Sequence, residues 1–159
     1  MKNEIFDNML SRYDLTTEQH KRNAIFEVNQ QMILAGLYAG GFFESAAFYG
    51  GTCLRIFHGL QRFSEDMDFS LLAQDDKFDF TEYFPTIVDA FAMVGREVEI
   101  KKKDKKNFGK VESVDDVNKE EFELYCLNPL IHRRGIVKEQ CHNIDPEFKV
   151  KMPEVKMLY

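Results

Sequence analysis

The stretch FYGGTCLRIFHGLQRFSEDMDFSLL, residues 48–72, decides the fold class of this 159-residue chain. It starts with apolar residues and turns at Gly50-Gly51-Thr52. Helical character follows from Leu54 to Leu60, and acidic and apolar residues then alternate from Asp66 to Leu72. This order predicts a short strand, a glycine turn, a helix and a second strand.

The same stretch carries a pattern suited to phosphate chemistry. Asp66 and Asp68 stand two positions apart on the second strand, so both carboxylates project from one face. Carboxylate pairs provide the oxygen ligands that Mg²⁺ prefers. The glycines let the backbone approach a ligand, the helix N-terminus offers N–H groups to an anion, and Thr52 adds a hydroxyl donor. A phosphate cradle beside a metal-holding pair is the layout that nucleotide transfer needs.

Each part of this pattern also has a plainer interpretation. A D-x-D in an acidic chain is often a solvated strand edge, and a glycine pair is often only a turn. Arg55 and Arg62 are by default surface charges or ion-pair partners of Glu65. It is the combination, in this order and spacing, that favours a functional site.

The rest of the chain places helices before strands. We expect a short helix from Asn3 to Tyr13, and then a longer one with Thr16 as its N-cap that ends at Gly40-Gly41. A third helix is expected over Thr81–Val94, with Pro85 in its first turn.

A two-residue period marks the second half of the chain. It occurs in Arg96–Ile100, Glu121–Tyr125 and Phe148–Met152, and loops are expected over 113–121 and 128–135. The chain is therefore predicted to be an α+β domain, a mixed sheet with the N-terminal helices packed on it.

Charge and composition narrow the function classes. With 27 acidic and 21 basic residues the formal net charge is −6, which argues against a broad nucleic-acid surface. The basic run Lys101–Lys106 is either a binding surface for an RNA acceptor or an edge strand whose lysines prevent pairing with other chains. The three cysteines do not have the spacing of a disulfide framework, and the sequence shows no signal peptide. It also has no apolar run of about 20 residues. We therefore predict a cytoplasmic protein without a membrane span.

Residues 48–72 resemble the signature of the AbiEii/AbiGii-type nucleotidyltransferase toxin family, in which a GGT-x-LR segment precedes RFSEDxDF. Here these segments are Gly50–Arg55 and Arg62–Phe69, and Gln30–Phe43 is similar to the family's preceding helix. The resemblance implies a polymerase-β-like minimal nucleotidyltransferase fold over 1–159, with a helical lead-in at 1–44 and a sheet-containing catalytic core at 45–159. It also implies a nucleoside triphosphate substrate, Mg²⁺ or Mn²⁺, and the role of a toxin in a toxin–antitoxin or phage abortive-infection pair with a cognate antitoxin.

Site roles follow from the resemblance residue by residue. Asp66 and Asp68 would hold the metals and act in catalysis. The residues implied to bind the nucleotide, or to support its phosphates and the loop, are Gly50, Gly51, Thr52, Arg55, Arg62 and Ser64.

The fold implied by the resemblance offers a third carboxylate on a later strand. Glu154 is the nearest candidate, although Pro153 stands where that strand should continue. Glu97, Glu99 and Glu123 remain alternatives. The acceptor implied is an RNA hydroxyl, with tRNA as an analogy.

One departure from the family concerns the C-terminus. The family's C-terminal helical part has no counterpart here, and an apolar pattern continues through Val155, Met157 and Tyr159. We therefore expect the sequence to be a fragment of a longer chain. The alternative function is accordingly a catalytically silent nucleotide-binding or interaction module.

Overall fold

Four α-helices and five β-strands form the part of the chain that the computed structural model describes, residues 2–102, 119–126 and 150–158. None of the helices in these ranges has the length and apolar character needed to cross a membrane. The elements in chain order are α1 (Lys2–Leu10), α2 (Glu18–Ala39), β1 (Ala46–Tyr49), α3 (Gly50–His58), β2 (Met67–Leu71), α4 (Phe84–Met93), β3 (Val98–Lys102), β4 (Lys119–Cys126) and β5 (Val150–Leu158). The α+β prediction is confirmed.

Several element boundaries differ from the prediction: α1 ends at Leu10 instead of Tyr13, α3 spans Gly50–His58 instead of Leu54–Leu60, and β2 starts one residue after Asp66. The N-cap of α2 is Thr17, whose hydroxyl accepts a hydrogen bond from the backbone N–H of His20 at 3.1 Å. The N–H of Thr16 instead donates to Asp14 Oδ1 at 2.9 Å, so Thr16 belongs to the turn before the helix. The segment predicted as a single third helix begins as a 3₁₀ helix, Phe80–Tyr83, and becomes α-helical only at Phe84.

The five strands form one mixed sheet in the order β1-β2-β5-β4-β3. β2 and β5 are parallel, and the other neighbouring pairs are antiparallel. β5 continues through Pro153, with a register shift opposite Glu123 and Tyr125 that accommodates the proline. β4 starts at Lys119, so residues 119–121 are strand and not the expected loop; the loop predicted over 128–135 lies outside the described residues.

Of the N-terminal helices, α2 packs on one face of this sheet, as expected, and α1 packs on α2. Met67, Phe69, Phe122 and Val155 contribute fully or almost fully buried side chains to that face, against α2 and α4. α2 and α4 approach at Gly36, where a Cβ would lie 2.5 Å from the Cα of a residue in α4. Because Met67 and Phe69 are anchored in the core, the alternating position Asp68 belongs to the opposite face, which is where the site lies.

Candidate functional site

The glycine turn and the acidic strand meet at Gly50 and Asp68. Tyr49 is the antiparallel Cα partner of Asp68, so the residue after it starts α3 directly beside that carboxylate. Gly50 has a φ of 80°, and a Cβ at this position would lie 2.6 Å from Asp68 Oδ2. Only glycine combines this left-handed backbone with so close an approach. The glycines form the first turn of α3 and not a loop before it, which corrects the predicted order in one detail.

The second glycine lies beside Ser64 and Arg62. A Cβ on Gly51 would be 2.9 Å from Ser64 Oγ and 3.6 Å from a guanidinium nitrogen of Arg62. Arg62 is exposed, and the N-cap residue of α3, Tyr49, makes no capping hydrogen bond through its side chain. An exposed cation thus stands beside a glycine-led helix N-terminus, an arrangement that attracts an anion.

Thr52 has a different environment from the one expected. Its side chain is fully buried, its hydroxyl donates to the backbone carbonyl of Asp66, and it lies 2.9 Å from Ser64 Oγ. The hydroxyl therefore supports the backbone that carries the carboxylates, and is not presented at the surface as a phosphate donor.

Arg55 likewise makes its hydrogen bonds to protein atoms. Its Nε donates to Glu27 Oε2 at 3.1 Å, and its Nη1 donates to the carbonyl oxygens of Leu60 at 2.8 Å and Gln61 at 3.2 Å. The expected ion pair exists, but its partner is Glu27 of α2 instead of Glu65. Of the two roles implied for Arg55, these contacts match support of the loop.

One residue at the site was missed by the sequence reasoning. Gln30 of α2 is fully buried, and its Nε2 donates to the carbonyls of Ser64 at 2.9 Å and Glu65 at 2.7 Å. The available signal was its spacing, because Gln30 shares a helix face with Ile33 and Leu37, both completely buried. A polar side chain in an apolar stripe indicates a specific hydrogen-bond partner.

The backbone register ranks the candidates for a third carboxylate. Val155 is the Cα partner of Met67, so Glu154 stands beside Asp66 on the neighbouring strand. Glu123 is one strand further away, paired with Glu154, and Glu99 lies on the edge strand β3. Glu97 is exposed in the turn before β3.

The donor set at the site suits a hard cation. Asp66 and Asp68 are both half-buried and offer only oxygen ligands, the preference of Mg²⁺ and Mn²⁺. Within the described ranges, no group of three or more His, Cys, Asp or Glu side chains is arranged to hold a metal ion.

Two other features are a cysteine in α3 and the start of the basic run in β3. Cys53 is half-buried, and burial raises the pKa of its thiol, which disfavours the thiolate that a nucleophile requires. Lys101 and Lys102 end the edge strand β3, and Lys101 Nζ lies 3.4 Å from Glu99 Oε1. The remainder of the basic run, residues 103–106, lies outside the described residues.

Comparison with known proteins adds the family. None of the curated proteins compared with the chain matches it. A model of the family described as nucleotidyl transferase AbiEii toxin, type IV TA system, matches residues 32–126, more than half of the chain. The matched range contains the glycine turn, α3 and the Asp66–Asp68 pair. The chain belongs to the AbiEii family of nucleotidyl transferase toxins of type IV toxin–antitoxin systems.

Proposed function

We propose that the chain transfers a nucleoside monophosphate from a nucleoside triphosphate to a hydroxyl group of an RNA acceptor, in a reaction that depends on Mg²⁺ or Mn²⁺. The observation that carries this proposal is the approach of Gly50 to Asp68, at 2.6 Å from a Cβ position to a carboxylate oxygen. It joins a helix N-terminus suited to phosphates with a carboxylate suited to a cation.

The triphosphate would lie along the first turn of α3. The backbone N–H groups of Gly50 and Gly51, in the first turn of α3, would donate to the phosphates, and Arg62 adds a positive charge beside Gly51. The absence of side chains on both glycines gives phosphate oxygens access to the backbone. Ser64 Oγ, next to the same glycine, supplies a hydroxyl at the edge of this cradle.

Asp66 and Asp68 would hold the divalent cation, with Glu154 as the third carboxylate. The support for Glu154 is its backbone position beside Asp66 in the parallel pair β2–β5. When bound, the cation neutralises phosphate charge and lowers the barrier to attack at the α-phosphorus. Without a cation, the two carboxylates would repel the triphosphate, because all of these groups are negatively charged. Binding of the triphosphate beside the acidic pair therefore requires a cation between them.

The transfer exchanges a phosphoanhydride bond for a phosphodiester bond. The acceptor oxygen forms a bond to the α-phosphorus as the bond from that phosphorus to the β-phosphate bridging oxygen breaks. The hydroxyl proton passes to water, and pyrophosphate leaves with the electron pair of the broken bond. The residues of the chain orient the two reactants in line and exclude alternative geometries.

The RNA acceptor would approach across the sheet from the Lys101–Lys106 run. The strand register aligns the lysine end of β3 with the start of β2. The pairing runs across the sheet from Lys102 to Phe122, from Phe122 to Val155, and from Val155 to Met67. Three strand spacings separate them, about 14 Å, which is a distance that a few nucleotides of RNA would span. RNA binding needs a local basic patch, because the chain as a whole has a net negative charge.

The family implies an antitoxin partner. We propose that the transferase acts as the toxin of such a pair in abortive infection and antiviral defence, in the cytoplasm. Modification of an RNA needed for translation, with tRNA as the first candidate, would account for toxicity.

The test is transfer of label from each nucleoside triphosphate, labelled at the α-phosphate, to total tRNA with and without Mg²⁺. The variant is Asp66→Asn with Asp68→Asn, and the matched control is Glu97→Gln, an exposed acid away from the site. We expect Mg²⁺-dependent labelling that the double variant abolishes and the control retains. Nucleotide binding without transfer would support the silent binding module instead, and no nucleotide binding would refute the site.

A further inference from the structure

Three consecutive backbone carbonyls lead into the carboxylate pair, and each accepts a hydrogen bond from a buried side chain. Gln30 Nε2 donates to Ser64 O at 2.9 Å and to Glu65 O at 2.7 Å. The Thr52 hydroxyl donates to Asp66 O, the next carbonyl along the chain. The first donor comes from α2 and the second from α3.

The orientation of these donors is determined by chemistry. Carbonyl oxygens only accept, so the amide of Gln30 must direct Nε2 and not Oε1 at the loop. Both side chains are fully buried, and therefore water does not compete for the two carbonyls held by Gln30 or for the one held by Thr52. Residues 63–66 form no helix or strand, so no regular ladder orients this backbone.

Fold stability alone gives little reason for a glutamine at position 30. Its Oε1 is buried and has no hydrogen-bond partner among the described residues, so the side chain carries a desolvation penalty that an apolar residue would avoid. Its neighbours on the helix face, Ile33 and Leu37, are apolar and equally buried. What the amide adds to an apolar side chain is the pair of N–H donors to two adjacent carbonyls.

We propose that Gln30 and Thr52 are positioning residues for the carboxylate pair, an inference that rests on the proposed function. Their hydrogen bonds hold the peptide planes on the N-terminal side of β2. The plane between Asp66 and Met67 determines the backbone torsion of Asp66, and with it the direction of its Cα–Cβ bond relative to that of Asp68. Gly50 restricts Asp68 from the other side, so both carboxylates keep one relative arrangement before a cation binds.

The experiment compares Gln30→Met and Thr52→Val with two controls. Gln31→Met removes an equivalent amide one residue along α2, whose Nε2 donates to Tyr13 Oη at 2.7 Å. Thr52→Ser keeps the hydroxyl. For each protein we would measure Mn²⁺ affinity by electron paramagnetic resonance with the metal alone, the kcat and KM of label transfer, and the midpoint of thermal unfolding.

We expect Gln30→Met and Thr52→Val to bind Mn²⁺ more weakly and to lower kcat by about 10- to 100-fold, as misplacement of reacting groups does. In Gln30→Met the KM for the nucleoside triphosphate should stay unchanged, because the glycine turn, the Ser64 side chain and Arg62 are intact. Thr52→Ser should restore both Mn²⁺ affinity and kcat, and Gln31→Met should resemble the wild type in both.

Equal Mn²⁺ affinity and kcat in Gln30→Met and Gln31→Met would overturn the inference, as would a loss fully explained by unfolded protein. If the wild type binds Mn²⁺ but transfers no label, the proposed function fails, and the Mn²⁺ comparison still decides the positioning role. A wild-type chain that binds no Mn²⁺ would overturn both.

Discussion

Gly50→Ala tests whether the contact between the glycine turn and the carboxylate pair is as close as the structure indicates. Gly50 has a φ of 80° and Gly59, at the end of α3, has a φ of 69°. An alanine pays about 1–2 kcal/mol for such a left-handed backbone at either position. A Cβ at Gly59 meets nothing within 4 Å, whereas one at Gly50 lies 2.6 Å from Asp68 Oδ2. Gly59→Ala is therefore a matched control that carries the backbone penalty alone.

The difference between the two variants measures the contact. We expect Gly50→Ala to lower the free energy of unfolding by about 1 kcal/mol more than Gly59→Ala does, the low end of the range for overpacking, because the atom it meets is the end of the Asp68 side chain. The Asp68 carboxylate must also retreat by nearly an ångström to reach ordinary van der Waals separation, which should lower the transfer rate by about 100-fold.

The assay is urea unfolding of both variants, followed by Mn²⁺ binding and label transfer. The two unfolding curves should have the same denaturant dependence, so that their midpoints report stability alone. Equal destabilisation of the two variants, with Mn²⁺ affinity retained in Gly50→Ala, would refute the reasoning.

Four further outcomes are expected. Arg55→Met should lower the free energy of unfolding by about 1–3 kcal/mol through its unpaired acidic partner, whereas Arg62→Ala should leave stability unchanged and raise KM in label transfer. Gly36→Ala should destabilise by about 1–3 kcal/mol in urea unfolding, because its methyl would meet the backbone of α4. Hydrogen bonds from Thr81 lower the pKa of Asp79 below its ordinary value of 3.8. The Asp79 carboxylate should therefore stabilise the fold at pH values above 3.8, and this stabilisation should be lost as the pH falls through the lowered pKa. Asp79→Asn should remove the same stabilisation at the higher pH values, as measured by unfolding of both proteins across an acid pH series.

The prediction of secondary structure succeeded where the signal is local. The period of apolar residues identified α2 and the strands, and the glycines at positions 40 and 41 identified the end of α2, because side-chain periodicity and backbone freedom act within a few residues. The errors were also local: Thr16 and Thr17 are adjacent cap candidates of equal chemistry, and only the hydrogen bond to His20 distinguishes them.

The sequence by itself also determined which residues are candidates for the site. The order of the glycine turn, the helix and the acidic strand predicted that Gly50 and Asp68 belong together, and the structure places them in contact distance. Sequence spacing did not separate the residues that face a ligand from those that support the backbone. Thr52 was assigned to the nucleotide and Arg55 to the phosphates or the loop, and the hydrogen bonds of both side chains go to protein atoms.

Only the tertiary structure decided how distant segments support that site. The parallel pairing of β2 with β5 brings Glu154 beside Asp66, and the packing of α2 brings Gln30 under Ser64 and Glu65. Neither arrangement has a signature in neighbouring residues, because strand order and helix placement follow from burial of the whole apolar face. The residue types and their spacing in the sequence therefore predicted which residues are candidates for the site, and the packing of distant segments determined its geometry.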